Sequence, residues 1–360
     1  MTVRVREIDV CMSLRLGIGR IREEHNTALY FERAALAAGH EVVVVHEAHD
    51  LVHAGQLDMF IVVDPWFHGM QVLPRLSCPT AAVLIDVHLD LPTRAMFSRF
   101  FDHVFVAQRD LVVPIAAKGH NSVQWLPLGG DPSVHFVPNI TRDIDVGFVG
   151  KMGTPGTDRH SVLSRVLPRF GTNQIDRSYT PWEMGRIYSR SRIVFNKSIG
   201  RDVNMRVFEA LAAGALLVTD RISNGLDDLM TEGKHYIGYD TAEEAIAQIE
   251  HYLADEEARA RIARAGQALM NERHSYGDRL TQILRTVQAA GDARPAPARH
   301  VTPGQQRLWR AEWARRRGIS ATDAAGLMAE GLTPAGYGHL AIGLARTAKW
   351  MMTGLGRTRS

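Results

Sequence analysis

The stretch YSRSRIVFNKSIGRDVNMRVFEALAAGALLVTD, residues 188–220, decides the fold. A short β-branched and aromatic run at 193–195 predicts a strand, and the polar segment 196–204 that follows it cannot belong to a core. A helix with apolar residues on one side then ends at Gly214, just before a second strand at 216–219. This alternation of strand and helix is typical of a sheet covered by helices.

The start of that helix predicts an anion-binding site. Free backbone amides at a helix N-terminus carry a partial positive charge, and Asn204 and Arg206 add donors at the same place. Glu209 lies three residues after Arg206 on the same face, where a carboxylate can accept hydrogen bonds from the paired hydroxyls of a ribose. These residues favour a nucleotide with its sugar. The alternative is an ion pair between Arg206 and Glu209 on an ordinary surface helix.

Length and composition indicate two domains of common size. The chain has 360 residues, 45% of them hydrophobic, which is enough for two cores. No apolar run reaches the roughly 18 residues that a membrane-spanning helix needs, and the N-terminus lacks the apolar core of a signal peptide, so a cytoplasmic protein is expected. Cys11 and Cys78 cannot build a disulfide framework. His46, His49 and His53 are too loosely spaced to predict a metal site.

Charge is distributed unevenly along the chain. Residues 286–360 contain eleven Lys or Arg and four Asp or Glu, so they carry +7 and the preceding residues carry −4. Basic residues at 307–317 alternate with Leu308, Trp309 and Trp313, which predicts a basic amphipathic helix. We expect residues 288–360 to form a helical tail that packs on the acidic body or docks on a partner. Peripheral contact with a membrane is the weaker alternative, and no nucleic acid is expected.

The N-terminal part alternates strands and helices. Strands are predicted at 8–12, 41–45, 59–63, 81–85, 103–106 and 122–126, and helices at about 24–38, 68–75, 93–100 and 108–118. Such continuous apolar strands indicate a parallel sheet covered on both faces. The segment Leu16–Gly19 is predicted to be a loop, and it lacks the third glycine of a dinucleotide-binding fingerprint.

Polar residues follow the predicted strands, where open α/β sheets place their ligands. They are Arg15 and His25 after the first strand, Asp64 and His68 after the third, and Asp86, His88 and Asp90 after the fourth. A carboxylate or an imidazole in such a place could take a proton from an attacking hydroxyl. Asp86, His88 and His25 are therefore the candidate catalytic bases, and a capping or surface role is the competing interpretation of each.

A proline- and glycine-rich turn at 126–132 interrupts this pattern, and we place the domain boundary near residue 138. The next predicted strand, at 144–149, leads through Gly150 and a glycine-rich turn to a helix that begins near Arg159. This order can cradle a phosphate, with Lys151 and Arg159 as counter-charges. The turn lacks the ending of a Walker loop, so a flexible interdomain loop is the alternative. Further helices are predicted to open at 179–184 and to cover 241–253, 256–270 and 276–287.

The segments YTPWEMGRIYSRSRIVFNKS at 179–198 and NMRVFEALAAGALLVTD at 204–220 resemble the donor-binding half of group 1 glycosyltransferases. The resemblance is strongest to their CgeB-like, spore-maturation-type branch. FVGKMGTPGTDRHSVL at 148–163 is similar to the first strand and loop of that half, and segments within 228–284 are similar to its closing helices. FDHVFVAQRD at 101–110 and WLPLGGDPSVH at 125–135 resemble the end of the first domain. Altogether the resemblance covers about residues 80–285.

The resemblance implies a GT-B architecture, in which two Rossmann-like, doubly wound parallel-sheet domains face each other across a cleft. Residues 1–138 would bind the acceptor, and residues 139–287 would bind a nucleoside-diphosphate sugar such as a UDP-, GDP- or dTDP-sugar. Carried over by position, Glu209 would hold the donor ribose, and Tyr179 and Thr180 would lie beside the nucleobase. The diphosphate would be neutralised by cationic side chains, those of Arg206 and of Lys197 or Lys151.

The implied reaction is sugar transfer to a hydroxyl, without a metal or a further cofactor, because fixed cations and helix amides stabilise the leaving diphosphate in GT-B enzymes. One position departs from the family pattern. Many group 1 enzymes carry a glutamate eight residues before the ribose-binding one, and this chain has Arg201 there. Retention or inversion at the anomeric carbon is therefore open. Competing functions are a nucleotide-sugar epimerase or phosphorylase of the same fold, and a non-catalytic nucleotide-sugar-binding module.

Overall fold

The computed structural model describes residues 13–20, 26–46, 50–64, 76–118, 120 and 122–291. Strands in these segments form two separate sheets, one of six strands and one of four. The first sheet contains β1 Arg15–Gly19, β2 Glu41–Val45, β3 Met59–Val63, β4 Thr80–Leu84, β5 His103–Val106 and β6 Val123–Trp125. The second sheet contains β7 Ile144–Gly147, β8 Ser191–Asn196, β9 Leu216–Asp220 and β10 Ile237–Tyr239.

Helices connect the strands of both sheets. Those of the first half are α1 Ala28–Ala37, α2 Asp50–His53, α3 Leu91–Ser98, α4 Val112–Ala116 and α5 Pro132–His135. Those of the second half are α6 Asp158–Val166, α7 Pro181–Arg190, α8 Met205–Ala212, α9 Leu226–Leu229, α10 Ala242–Ala254, α11 Glu256–Arg273 and α12 Tyr276–Ala290. Within the ranges just given, no helix is both long and apolar enough to cross a membrane.

Strand order confirms the predicted parallel sheets. The first sheet runs β2-β1-β3-β4-β5-β6, the second runs β10-β9-β8-β7, and every pairing within them is parallel. β3 and β4 are buried along their whole length, as expected for strands covered on both faces. Since all strands of a sheet point the same way, the loops after their carboxyl ends gather at one edge.

The prediction of a loop at Leu16–Gly19 was wrong, because these residues lie in β1. Leu16 and Ile18 are fully buried, and Gly17 lies between them. A Cβ on Gly17 would come within 2.5 Å of the Phe60 ring and 2.7 Å of the Leu57 side chain, so glycine lets the neighbouring strand pack closely. The glycines of this segment mark close packing and not a turn.

Arg15 was also misplaced, since it begins β1 and does not follow it. Its Nη1 lies 3.1 Å from the carboxylate of Glu41, at the start of the neighbouring strand. This is the edge of the sheet opposite the loops that follow the carboxyl ends of the strands. The predicted strand at 8–12, the predicted helix at 68–75 and the tail from 292 to 360 lie outside the described residues.

The last helix, α12, returns to the first half of the chain. Tyr276, Leu280, Ile283 and Val287 of α12 share one apolar cluster with Phe31 and its neighbours in α1. The chain passes between the halves at Gly130 and again at Ser275, and the two crossings are hydrogen-bonded to each other. We call the part built on the six-stranded sheet, with α12, the first lobe, and the part built on the four-stranded sheet the second lobe.

Candidate functional site

The polar segment after β8 leads into an open helix start. Asn204 stands at the N-cap position of α8 with an extended backbone, but its side chain accepts no hydrogen bond from the first turn. Its Nδ2 donates instead to Asn196 Oδ1 at 3.1 Å, and its Oδ1 is buried without a partner among the described residues. The first amides of α8 therefore lack the side-chain cap that helices commonly have.

Arg206, in the first turn of α8, turns its guanidinium toward the end of β7. Its Nη1 donates to Asn196 Oδ1 at 2.7 Å, and its Nε donates to the Val149 carbonyl at 3.1 Å and the Tyr188 hydroxyl at 3.2 Å. The guanidinium also lies 4.6 Å from the centre of the Phe148 ring. All of these partners are neutral, so the side chain is held in place while no carboxylate of the described chain pairs with its charge.

A second arginine meets Arg206 at Gly150. Arg159 is 8% exposed, and its Nε donates to the Lys151 carbonyl at 3.0 Å. A Cβ on Gly150 would clash with Arg206 Nη2 and would lie 3.8 Å from Arg159 Nη2, so both guanidinium groups face this point. Burial, with Arg206 as the second cause, lowers the pKa of Arg159 to about 10. Two like charges that converge in this way create a site for an anion.

Glu209 is a buried carboxylate with no donor. Glu209 is only 6% exposed, and no group in the described part of the chain donates a hydrogen bond to its carboxylate. Burial raises the pKa of Glu209 to about 7, and the nearby Arg206 partly offsets this. The alternative of a surface ion pair between Arg206 and Glu209 is therefore wrong, because Glu209 is not on the surface and its carboxylate is not bonded to Arg206.

Glu209 lies close enough to Tyr30 and Tyr276 of the first lobe to influence the pKa of both hydroxyls. Tyr30 of α1 and Tyr276 of α12 stack with ring centres 4.9 Å apart, and the charge of Glu209 contributes to raising the pKa of both hydroxyls, after burial. The Tyr276 hydroxyl is buried without a hydrogen-bond partner in the segments that the structure describes. The carboxylate thus lies at the boundary between the lobes.

The two predicted lysines differ in their surroundings. Lys197 Nζ lies 2.8 Å from the carboxylate of Asp158 and 3.3 Å from that of Asp220, so two carboxylates already balance its charge. Lys151 lies exposed in the turn after β7, and no ion pair links it to another described residue. Arg206 and Arg159 therefore offer a stronger anion site than Lys197 does.

Tyr179 and Thr180 precede α7, and their polar groups have partners in the protein. Thr180 Oγ1 accepts a hydrogen bond from the Glu183 amide at 3.3 Å, and the Glu183 carboxylate accepts one from the Thr180 amide at 2.9 Å, which makes a capping box. The Tyr179 hydroxyl donates to the Gln174 carbonyl at 2.8 Å. Arg177 lies 5.1 Å from the centre of the half-buried Tyr179 ring and covers one of its faces.

On the first lobe, Asp86 and His88 follow β4 and Asp64 follows β3. Asp86 has φ +50° and Asp64 has φ +57°, a left-handed conformation that non-glycine residues seldom adopt. Asp64 is buried and bidentate with Arg94, at 3.0 and 2.8 Å, so its role is structural. Asp86 is exposed, and its carboxylate makes no hydrogen bond or ion pair with described residues. His25, the third candidate base, lies outside them.

A cavity of about 290 Å³ lies between the lobes beside these loops. Asp64 and Asp86 line it from the first lobe, and Pro181 and Met205, the first residues of α7 and α8, line it from the second. The carboxylate of Asp86 and the nucleotide-binding helix predicted from the sequence therefore face the same space.

Asp202, for which the sequence predicts no role, is a second-lobe residue that lies beside Asp86 and His88. It is 5% exposed, and one oxygen of its carboxylate lies within 4.8 Å of potential ligand atoms of both Asp86 and His88. Burial raises the pKa of Asp202. A divalent cation could use this geometry, so the absence of a metal from the reaction stays a prediction. Gly200 and Arg201, just before Asp202, have left-handed backbones, with φ of +62° and +60°.

Comparisons with known proteins give one family match and several solved structures of the same fold. Residues 148–285 match the family described as "Glycosyl transferase-like". No curated protein matches the chain. Among solved structures, HepE from Anabaena with UDP and glucose has a TM-score of 0.57 and 12% identity, over 77% of this chain and 100% of that one. A glycosyltransferase from Rickettsia africae has a TM-score of 0.56 and 9% identity, over 77% of this chain and 98% of that one.

Sucrose-phosphate synthase from Thermosynechococcus elongatus has a TM-score of 0.54 and 11% identity, over 78% of this chain and 100% of that one. These structures are GT-B glycosyltransferases, so the predicted GT-B fold of this chain is confirmed. The family match covers residues 148–285 of this chain. The CgeB-like branch stays a prediction.

Proposed function

We propose that this chain is a glycosyltransferase that moves a sugar from a nucleoside-diphosphate sugar to a hydroxyl group of an acceptor. The observation that carries the proposal is the pair of converging guanidinium groups, Arg159 and Arg206, beside a buried carboxylate, Glu209, to which no described residue donates. Arg206, which belongs to the anion site, and Glu209, which would bind the hydroxyls, lie about one turn apart on α8. This corresponds to about 5 Å along the helix axis. That spacing suits a diphosphate joined to a ribose.

UDP is the nucleotide with the best support. HepE, which shares the fold, was solved with UDP and with UDP-glucose. A carboxylate that accepts hydrogen bonds from both ribose hydroxyls also disfavours a 2′-deoxy nucleotide, so a UDP- or GDP-sugar suits Glu209 better than a dTDP-sugar does. Tyr179, Lys151 and Asn204 complete the proposed donor site.

The nucleotide itself provides the first test. We expect UDP to bind the wild-type chain roughly 10- to 100-fold more tightly than dUDP, because a hydrogen bond to a charged group contributes about 1.5–3 kcal/mol. Calorimetry measures both dissociation constants on the full-length protein. Equal affinities would remove Glu209 from the ribose site, and no binding of any nucleoside diphosphate would end the proposal. GDP and dTDP in the same series then rank the donors.

The proposed transfer uses groups from both lobes. The bond between the anomeric carbon and the diphosphate breaks and its electron pair leaves with the diphosphate, whose charge is stabilised by Arg206, Arg159 and the α8 amides. A new bond forms from the acceptor oxygen to the anomeric carbon, and the hydroxyl proton passes to Asp86. We choose Asp86 over His88 because its free carboxylate lines the cavity between the lobes. No metal is needed in this scheme, and a base in this role implies inversion.

Replacing the base tests this choice. Asp86→Asn should lower kcat about 100- to 10,000-fold, the usual contribution of a general base, and leave the UDP dissociation constant unchanged. Asp90→Asn is the matched control, since Asp90 is nearby but caps α3 by accepting from the Thr93 amide at 3.3 Å. A fall in kcat below about 5-fold for Asp86→Asn would exclude it as the base and favour a retaining reaction.

An epimerase, a phosphorylase and a binding module are the rival functions. An epimerase or a phosphorylase would not need an acceptor hydroxyl for turnover. Product analysis with and without an acceptor therefore separates both enzymes from a transferase. A binding module would show UDP affinity without turnover. The division into domains at residue 138, the cytoplasmic location, and the docking or membrane contact of residues 288–360 remain predictions.

A further inference from the structure

A buried hydrogen bond joins the lobes beside the candidate base. Gln108 follows β5 in the first lobe and is 2% exposed. Its Oε1 accepts from the Val87 amide at 3.1 Å, which fixes the orientation of the side-chain amide, and its Nε2 donates to Asp202 Oδ1 at 2.9 Å. Asp202 belongs to the second lobe and is 5% exposed. One glutamine therefore binds both lobes at once.

Each partner in this bond lies next to residues that take part in the proposed reaction. Val87 lies between Asp86 and His88, so Gln108 holds the loop that carries the candidate bases. Asp202 lies two residues before Asn204, at the entry of the nucleotide-binding helix. A shift of Gln108 relative to Asp202 would change the distance between the acceptor hydroxyl and the donor sugar.

Two other polar contacts between the lobes nearby are exposed. Arg109 pairs with Asp228, and their side chains are 52% and 46% exposed. Asp110 and Asn224 exchange two hydrogen bonds, at 2.9 and 2.8 Å, that are also exposed. Exposed pairs of this kind contribute little to stability, whereas a buried donor or acceptor that loses its partner is strongly destabilising. Among these polar contacts, the Gln108–Asp202 bond therefore has the strongest control over the relative position of the lobes.

We propose that Gln108 and Asp202 are positioning residues for sugar transfer, whose bond across the cleft aligns the base loop of the first lobe with the nucleotide helix of the second. The proposal rests on the transferase function proposed above. Reacting atoms must approach to about 3–3.5 Å, and a displacement of about 1 Å can cost about 100-fold in rate. Apart from Tyr30 and Tyr276, the residues of the proposed donor site all lie in the second lobe. Nucleotide binding therefore does not require the Gln108–Asp202 bond.

Three variants separate positioning from other roles. In Gln108→Glu, one carboxylate oxygen still accepts from the Val87 amide, but the other faces Asp202, and two acceptors repel each other. In Asp202→Asn, the side-chain oxygen still accepts from Gln108. The double variant combines both substitutions, so the introduced carboxylate of the first lobe accepts from the introduced side-chain amide of the second. The bond is then restored with donor and acceptor exchanged.

The measurements are the dissociation constant of UDP, the kcat and KM for UDP release from UDP-glucose, and the radius of gyration of the ligand-free protein in solution. We expect Gln108→Glu to lower kcat about 100-fold and to increase the radius of gyration, with UDP affinity and KM within about 2-fold of wild type. Asp202→Asn and the double variant should stay within about 5-fold of the wild-type kcat and keep the wild-type radius.

Each other pattern has a different meaning. A large loss in Asp202→Asn that the double variant does not rescue would mean that Asp202 acts as a carboxylate in the chemistry, which overturns the positioning role. Unchanged scattering together with unchanged kcat in Gln108→Glu would also overturn it. Failure of the wild-type protein to bind any nucleoside diphosphate would instead refute the proposed function, and the scattering of the three ligand-free variants still decides whether the bond holds the lobes together.

Discussion

Arg206→Ala is expected to lower kcat about 1,000-fold. The guanidinium is held by the Val149 carbonyl and Asn196 while no described carboxylate pairs with its charge, so it is ready to stabilise the charge that develops on the leaving diphosphate. A preorganised donor aimed at such a charge contributes roughly 100- to 1,000-fold, and an arginine acting on a phosphoryl group contributes more. UDP release from a UDP-sugar measures the rate, and calorimetry with UDP measures the accompanying loss of affinity.

Two further variants give this experiment its controls. Arg206→Lys keeps the charge but loses the planar fork that reaches Val149 and Asn196 together, so its kcat should fall between those of Arg206→Ala and wild type. Arg192→Ala removes an arginine of the same lobe that pairs with Asp145 and is 41% exposed. It should leave kcat unchanged. A wild-type rate in Arg206→Ala would place the diphosphate elsewhere.

Glu209→Gln is expected to stabilise the free protein and to weaken its binding of UDP. The pKa of Glu209 is raised from an ordinary value of 4.5 to about 7, because burial disfavours the charged form. Because the pKa of Glu209 is higher in the folded protein than in the unfolded chain, protonation of this group increases the free energy of unfolding at low pH. This gain is lost as the pH rises from 4.5 through about 7. At about pH 8 the ionised carboxylate therefore costs the ligand-free fold up to about 3 kcal/mol, which glutamine avoids.

Denaturant unfolding at several pH values measures the first effect. Glu209→Gln should be more stable than wild type at about pH 8 and equally stable at about pH 4. Glutamine lacks the charge that strengthens hydrogen bonds from ribose, so UDP should bind about 10-fold more weakly and the preference for UDP over dUDP should disappear. Glu256→Gln, at a position where the side chain is 87% exposed, is the control. Parallel stability curves for Glu209→Gln and wild type would show that Glu209 titrates normally.

Local pattern was enough to predict most of the second lobe. The apolar run at 193–195, the helix ending at Gly214 and the strand at 216–219 all lie in the predicted elements. The opening of a helix at 179–184, with a proline near its first turn, was also predicted, and α7 begins at Pro181. Periodicity and capping depend on neighbours in the chain, so they can be recognised without a structure.

Contacts between distant residues could not be predicted in this way. Gln108 and Asp202 are 94 positions apart, and no spacing rule brings them together. The same holds for Lys197, whose charge is balanced by Asp220 of the next strand, and for Arg159, which meets Arg206 only at Gly150. Glu209 was recognised as a functional residue, but its burial, and hence its raised pKa, follows from packing between the lobes.

The return of α12 to the first lobe affects how the chain can be divided. A fragment that ends at residue 138 would contain the six-stranded sheet but would leave the apolar side of α1, with Tyr30 and Phe31, without the helix that covers it. Such a fragment would self-associate or aggregate through that surface. A usable separate first lobe must therefore carry residues 276–290 as well, either fused after residue 138 or supplied as a peptide.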